Sequence, residues 1–202
     1  DVCSSDLEKH KLRQTGYYLQ DQMSWDRWRI TLGGRYDQVS VSNIDKIKDT
    51  RSDLDKNNFS TRAALLYLFD NGFAPYVSYS TAFTPTSFAD ENGNLLEPMK
   101  GKQWEAGLKY EPEGLNSQFS ASVFRINQTN IATKEEPTDP YRSIGEIESE
   151  GVELEAISQL TDSFRLQAAY TYTDIRYKKS SAEEQGKRAV YAPRNQASTW
   201  LS

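Results

Sequence analysis

Gln103-Trp104-Glu105-Ala106-Gly107-Leu108-Lys109-Tyr110 decides the fold of this chain. Trp104, Ala106, Leu108 and Tyr110 fall on one parity, and Gln103, Glu105, Gly107 and Lys109 on the other. Successive side chains of a strand point to opposite faces, so the stretch predicts an extended strand with one apolar, ring-bearing face and one charged face. The same pattern recurs on both sides of it. Ile30, Leu32, Gly34 and Tyr36 oppose Arg29, Thr31, Arg35 and Asp37, and Val152, Leu154 and Ala156 oppose Gly151, Glu153 and Glu155. Phe164, Leu166, Ala168, Tyr170 and Tyr172 oppose Arg165, Gln167, Thr171 and Thr173. Charges at mid-strand would each need a partner in a dry core. A hydrated or plugged lumen accepts them, so the pattern predicts a β-barrel wall whose apolar face meets lipid.

About nine such strands are predicted. The first runs from about Arg13 to Trp25 and turns at Asp26-Arg27 into a second, Trp28 to about Ser42. Asp70-Asn71-Gly72, Pro112 to Asn116 and Thr161-Asp162-Ser163 supply the other short turns, because Asn, Gly and Pro suit tight backbone reversals. Longer polar connections are expected at Asn43 to Lys56, Pro85 to Pro98, Thr133 to Pro140 and Lys178 to Arg188. Short turns at one end and long loops at the other describe an antiparallel up-and-down transmembrane β-barrel. Two places break the parity: Leu66 and Leu68 oppose Leu65, Tyr67 and Phe69, and Phe124 and Ile126 oppose Ala121 and Val123. A bulge or an apolar patch on the inner wall would account for either.

Composition agrees. In 202 residues, 24 Lys+Arg stand against 29 Asp+Glu, a net charge of −5 that argues against a general polyanion binder. With 37% hydrophobic residues no stretch approaches the ~18 consecutive apolar residues of a membrane helix, but alternating barrel strands average out as hydrophilic. One cysteine and one histidine leave no internal disulfide and little for a zinc site or a His-based catalytic pair, so no enzyme is predicted. Asp53-x-Asp55-x-Asn57 opens like a calcium loop, yet Asn58 stands where Gly is needed and Ala64 where Glu is needed, so no metal is assigned. Beside the short turns lie Trp25, Trp28, Phe69, Phe73, Tyr110 and Phe164, the row expected of a membrane-interface girdle. Glu146, Glu148 and Glu150 share the parity of Val152 and, without a bulge at Gly151, are expected to point outward above the bilayer, as a solvated strand end or, alternatively, as a bridge to lipopolysaccharide through divalent ions.

An ordered set of motifs then resembles a family. It comprises Thr15-Gly16-Tyr17-Tyr18-Leu19-Gln20-Asp21-Gln22, Thr31-Leu32-Gly33-Gly34-Arg35-Tyr36-Asp37, and Pro75-Tyr76-Val77-Ser78-Tyr79-Ser80-Thr81-Ala82-Phe83-Thr84-Pro85. Lys100-Gly101-Lys102 running into the opening stretch, Glu150 to Ala156, Tyr170-Thr171-Tyr172-Thr173-Asp174 and Ala192-Pro193-Arg194-Asn195 complete it. The sequence is similar to TonB-dependent siderophore receptors of the Gram-negative outer membrane, in particular the ferrichrome and hydroxamate group. Asn195 stands where these receptors often carry a histidine, and residues 1–12 form a lead outside the resemblance, which covers 13–202.

The resemblance implies a plugged barrel of roughly 22 strands, of which this chain holds part, the plug and closing strands lying outside it. It implies uptake of ferric siderophores into the periplasm, energised by the TonB-ExbB-ExbD complex, with no covalent chemistry and no cofactor. Arg35, Glu105, Lys109, Glu153 and Glu155 would face the lumen and the plug. Phe83, Phe88, Tyr141 and Tyr177 are candidates for gripping a neutral iron chelate at the extracellular mouth. The outer wall would meet membrane lipid and lipopolysaccharide. Two alternatives stay open on the residues alone: a soluble β-rich module of carbohydrate-binding type, whose surface rings would stack on sugars, and a passive porin-like channel.

Overall fold

The computed structural model describes residues 8–47, 50–86, 88–134, 139–161, 163–180, 185–189 and 192–202. The opening Asp1 to Leu7, Asp162 of the last short turn and parts of the predicted long loops lie outside the described residues. Nine strands follow in chain order: β1 Glu8–Trp25, β2 Trp28–Asp45, β3 Thr50–Tyr67, β4 Phe73–Thr84, β5 Met99–Tyr110, β6 Ser117–Thr133, β7 Arg142–Thr161, β8 Phe164–Lys179 and β9 Asn195–Leu201. They form one sheet in the order β1-β2-β3-β4-β5-β6-β7-β8-β9, each strand antiparallel to the next. The fold is all-β and up-and-down, an open part of a barrel wall.

Two boundaries differ from expectation. β1 begins at Glu8 rather than near Arg13. The charged run Asn43 to Lys56 is for the most part not a loop: β2 and β3 continue into it, with Asn43 opposite Ser52 and Ile44 opposite Arg51, and residues 46–47 begin a turn. Cross-strand hydrogen bonds satisfy the backbone whatever the side chains, so a charged ribbon is stable where its charges reach water. The same pairing places Asp53, Asp55 and Asn57 along one edge of an extended strand, a geometry no calcium loop adopts.

Register fixes which residues share a face. Tyr79 lies opposite Trp104, Val77 opposite Ala106, Leu108 opposite Ala121, and Val123 opposite Val152, which in turn faces Tyr172. On this face Leu32, Val77, Trp104, Leu108, Val123, Val152 and Leu154 are all exposed. A continuous apolar surface crossing seven strands far exceeds what a water-soluble protein presents. From Trp28 to Tyr36 there are eight strand steps of ~3.4 Å, which at a tilt of ~40° span ~21 Å, close to the ~25 Å apolar band of an outer-membrane barrel. The opposite face carries the charges and is the more sheltered one along β5, where exposed and half-buried residues alternate.

The parity breaks are real features of the polar face. The ladder runs without a bulge through Leu66 and through Phe124, so both point to the polar side. Phe124 lies across Gly151, where a side-chain Cβ would stand 2.5 Å from its ring. Tyr76 lies across Gly107 in the same way, at 2.6 Å. The buried apolar core is small and sits at the long-loop end: Val39, Val41 and Leu95, with Leu54 and Phe83 packed against them.

Candidate functional site

On the polar face, one rung of the sheet carries Ser78, Glu105, Phe124, Gly151 and Thr173, and the next carries Tyr76, Gly107, Ser122, Glu153 and Thr171. A third brings Lys109, Ser120 and Glu155 into line. Four of the residues expected to face the lumen, Glu105, Lys109, Glu153 and Glu155, are thus gathered on neighbouring rungs of β5 and β7. Glu105 and Lys109 meet Tyr76, which sequence reasoning passed over. Its hydroxyl donates to Glu105 Oε1 at 2.6 Å, while Gln103 Nε2 donates to the other Glu105 oxygen at 3.1 Å. The Lys109 ammonium stands 5.7 Å from the Tyr76 ring centroid. One signal in the sequence pointed to Tyr76: it shares parity with Ser78 and Ser80 rather than with Val77; the glycine opposite it emerges only with the register. A cavity of about 550 Å³ opens beside this group, lined by Arg29, Arg62, Ser78, Gln103, Glu105 and Lys109 among others.

Arg35 faces the same way but sits apart, on β2. Its Nε donates to both oxygens of Asp37 at 3.0 and 2.8 Å, and Gln14 Nε2 donates to Asp37 Oδ1 at 2.9 Å. Asp37 is 1% exposed, the most deeply buried charge described, and these charge-assisted bonds offset its desolvation.

The four aromatic candidates for the mouth divide. Phe88, after β4, and Tyr141, before β7, come together with ring centroids 4.4 Å apart, and the Lys134 ammonium lies 4.3 Å from the Tyr141 centroid. Phe83 is packed into the small core against Leu95 and its neighbours. Tyr177 stands on β8 opposite Ile147, its backbone N–H bonded to the Lys187 carbonyl. At the tip of the β4–β5 connection Asp90 Oδ1 accepts the backbone N–H groups of Asn92 and Asn94 at 2.9 and 2.8 Å. The Asn94 N–H, helped by the Asn94 amide and the Asn92 N–H and opposed by burial, holds the Asp90 carboxyl below the usual carboxylate range.

On the apolar face the six girdle residues lie beside the short turns. Trp25 is directly opposite Trp28, and Phe73 stacks on Tyr110 with centroids 4.2 Å apart. Phe69 meets Tyr67 edge-on at 4.8 Å, and Tyr67 meets Trp28 at 4.7 Å, while Phe164 lies opposite Thr161. Tyr67 and Phe119 extend the row beyond the predicted six, Phe119 lying 6.3 Å from Tyr110. At the other edge of the apolar band, Glu150 meets Arg125, Glu148 meets Lys178 and Glu146 meets Lys179, at 2.5, 2.5 and 3.4 Å. No bulge interrupts β7 at Gly151, so Glu148 and Glu150 keep the outward parity of Val152.

The matches with known proteins fall on this same span. The family model described as "TonB dependent receptor-like, beta-barrel" matches residues 4–202. A ferrioxamine B receptor of Salmonella typhimurium is 89% identical over 195 residues, which is 96% of this chain and 28% of that protein. The ferrichrome outer membrane transporter/phage receptor of Escherichia coli K12 is 38% identical over 193 residues, 95% of this chain and 26% of its own length. Among solved structures, the ferripyoverdine receptor of the Pseudomonas aeruginosa outer membrane superposes with a TM-score of 0.78 at 25% identity, over 95% of this chain and 26% of that one. The chain spans little more than a quarter of the length of each of these three proteins.

Proposed function

The chain belongs to the TonB-dependent receptor β-barrel family, and on that footing we propose that the protein carrying it is an outer-membrane receptor for a ferric hydroxamate siderophore, ferrioxamine B in the first instance. The observation that carries this reading is the 89% identity to a ferrioxamine B receptor across the span that builds the two-faced sheet. The apolar face meets lipid between the row of rings beside the short turns and the ion-paired row at its other edge. The polar face borders the plug, with Glu105, Lys109, Glu153 and Glu155 making its polar contacts and Arg35 contributing from β2. At the mouth, Phe88 and Tyr141 offer ring faces and a phenol hydroxyl to the chelate, and Lys134 adds a cation beside them. Phe83 and Tyr177 serve the mouth as structure. The TonB-ExbB-ExbD complex supplies the energy by pulling on the plug, and transport makes and breaks no covalent bond. Outside, the ion-paired row from Glu146 to Glu150 meets lipopolysaccharide. Its glutamates are already paired with Lys and Arg side chains, so divalent ions are not needed to neutralise them.

The test is growth and uptake. A strain lacking its own ferrioxamine receptors, given the intact receptor that contains this chain, takes up radioiron as ferrioxamine B, and loses uptake when TonB is deleted. Alanine replacement of Phe88 and Tyr141 weakens binding. Uptake that persists without TonB, or that is absent with the receptor present at the surface, refutes the reading.

A further inference from the structure

Residues 88–98 carry the polar run Asp90-Glu91-Asn92-Gly93-Asn94 and read as a solvent-exposed loop, yet Leu95 and Leu96 within them are buried. The segment folds as a small hairpin. Ala89 bridges Leu95, the Leu96 N–H bonds the Phe88 carbonyl at 2.9 Å, and the Asp90 N–H bonds the Asn94 carbonyl at 2.8 Å. Leu95 seats on Val39 and Val41 of β2 and Leu54 of β3. Ser52, Leu54 and Lys56 share one face of β3, and all three hold the hairpin: Ser52 Oγ bonds the Gly93 carbonyl and Lys56 Nζ lies 2.6 Å from Glu97 Oε1. The other flank is tied as well. Asn130, at φ 60° beside the bulge in β6, donates from Nδ2 to the Pro98 carbonyl at 3.2 Å, and Ser143 Oγ donates to the Asn130 carbonyl at 3.2 Å.

This arrangement answers a gap in the wall. The β3–β4 ladder stops at Arg62 opposite Ser80, and above it the Thr61 N–H turns to Thr81 Oγ1 at 2.9 Å. The upper half of β3 is therefore joined to β2 on one side only. Residues 88–98 run from the free part of β3 to β6 and β7, on the face that carries Val39 and Val41.

We infer that Leu95 is a positioning residue for the mouth: seated on Val39, Val41 and Leu54, it makes residues 88–98 a fixed strap that holds Phe88 against Tyr141. The inference rests on the reading of those two rings as siderophore contacts. Leu95 touches no ligand. It acts through its bridge to Ala89 and the Leu96–Phe88 hydrogen bond, so unseating it displaces the Phe88 ring and removes its tilted contact with the Tyr141 ring.

The experiment uses the intact receptor in outer-membrane vesicles, with two readouts taken on Leu95→Asp, Leu95→Met and the Phe88→Ala/Tyr141→Ala double variant. Hydrogen exchange of residues 88–98 reports the strap without reference to ligand, and equilibrium binding of ferric ferrioxamine B reports the site. Leu95→Asp is expected to speed exchange across the hairpin and to weaken binding about tenfold, as follows if the binding-competent arrangement is then populated about a tenth of the time. The energised transport rate per bound chelate stays unchanged, and Leu95→Met restores both exchange and affinity. Unchanged exchange in Leu95→Asp overturns the strap. Faster exchange with unchanged affinity, while the double variant binds poorly, overturns the positioning role alone. Unchanged affinity in the double variant as well shows that the ring contacts were misassigned and overturns the inference with them. Should Leu95→Asp not reach the membrane, Leu95→Ala empties the same seat without adding a charge and carries the same readouts.

Discussion

Replacing Gly151 with alanine should be among the most damaging single-methyl changes in the wall. A Cβ at this position would stand 2.3 Å from the Tyr172 carbonyl oxygen and 2.5 Å from Phe124 Cζ. Ordinary contact begins near 3.4 Å, so the carbonyl is too close by 3.4 − 2.3 = 1.1 Å, and it belongs to the β8 backbone rather than to a flexible side chain. Forcing an extra methyl into a filled site costs about 1–3 kcal/mol, against which loss of glycine's freedom in the unfolded chain returns about 0.5–1 kcal/mol. The net lies between about 0 and 2.5 kcal/mol of destabilisation, centred on ~1 kcal/mol, which is roughly a five- to tenfold fall in the folded-to-unfolded ratio. Gly101 is the control, since it also lies on the polar face and its Cβ would meet nothing nearer than the Ala82 oxygen at 4.0 Å. Urea unfolding of the intact receptor in phospholipid vesicles, followed by tryptophan fluorescence, compares Gly151→Ala with Gly101→Ala. Adding Phe124→Ala to Gly151→Ala should recover only part of the loss, because the carbonyl contact remains. A Gly151→Ala midpoint equal to or above that of Gly101→Ala would refute the reasoning.

Three further outcomes are expected. The Asp90 carboxyl is held below its ordinary value in the folded hairpin, so its support is complete above the unfolded carboxylate pKa of ~3.9 and is lost as pH falls through the lower folded value. Amide protection at Asn92 and Asn94 should fall on acidification across that range in the wild type, and should be low and pH-independent in Asp90→Ala. A double-mutant cycle on Phe73 and Tyr110 should give a coupling of about 0.5–1.5 kcal/mol from their 4.2 Å stack, and a cycle closing at zero contradicts it. Arg125→Gln should cost no more than about 1 kcal/mol, and less at high salt, because both partners of the Arg125–Glu150 pair are about half exposed; a larger, salt-independent loss in urea unfolding argues against that assignment.

Alternation made the strands legible because a wall between lipid and water imposes opposite demands on its two faces at every second residue. It therefore read well from Trp28 to Tyr36 and from Gln103 to Tyr110, where the apolar band lies. It failed from Asn43 to Lys56, where the side chains of the β2–β3 ribbon are mostly polar on both faces and nothing in the composition separates it from a loop. Leu54 and Leu95 show a second limit. Leu54 is a lone apolar residue and Leu95-Leu96 a lone apolar pair among charged or polar neighbours, and only their meeting in space reveals a core. The polar-face cluster was visible through its carboxylates, but Tyr76 was hidden because an aromatic residue in a strand reads first as lipid-facing, and its place over Gly107 follows from register. The pairing of Phe88 with Tyr141 joins two separate connections and depends on the hairpin between them, so neither residue announced the other.

The most direct test of the two-faced wall is a nitroxide scan from Gln103 to Tyr110 in the intact receptor in liposomes, with Cys3 and every cysteine outside this chain replaced by serine so that each label is unique. Collision with oxygen, which concentrates in lipid, should peak at Trp104, Ala106 and Leu108, and collision with a water-soluble nickel chelate should not. Gln103, Glu105, Gly107 and Lys109 should show the opposite preference or be shielded from both. Oxygen accessibility without a period of two, or highest at Glu105 and Lys109, would contradict the account.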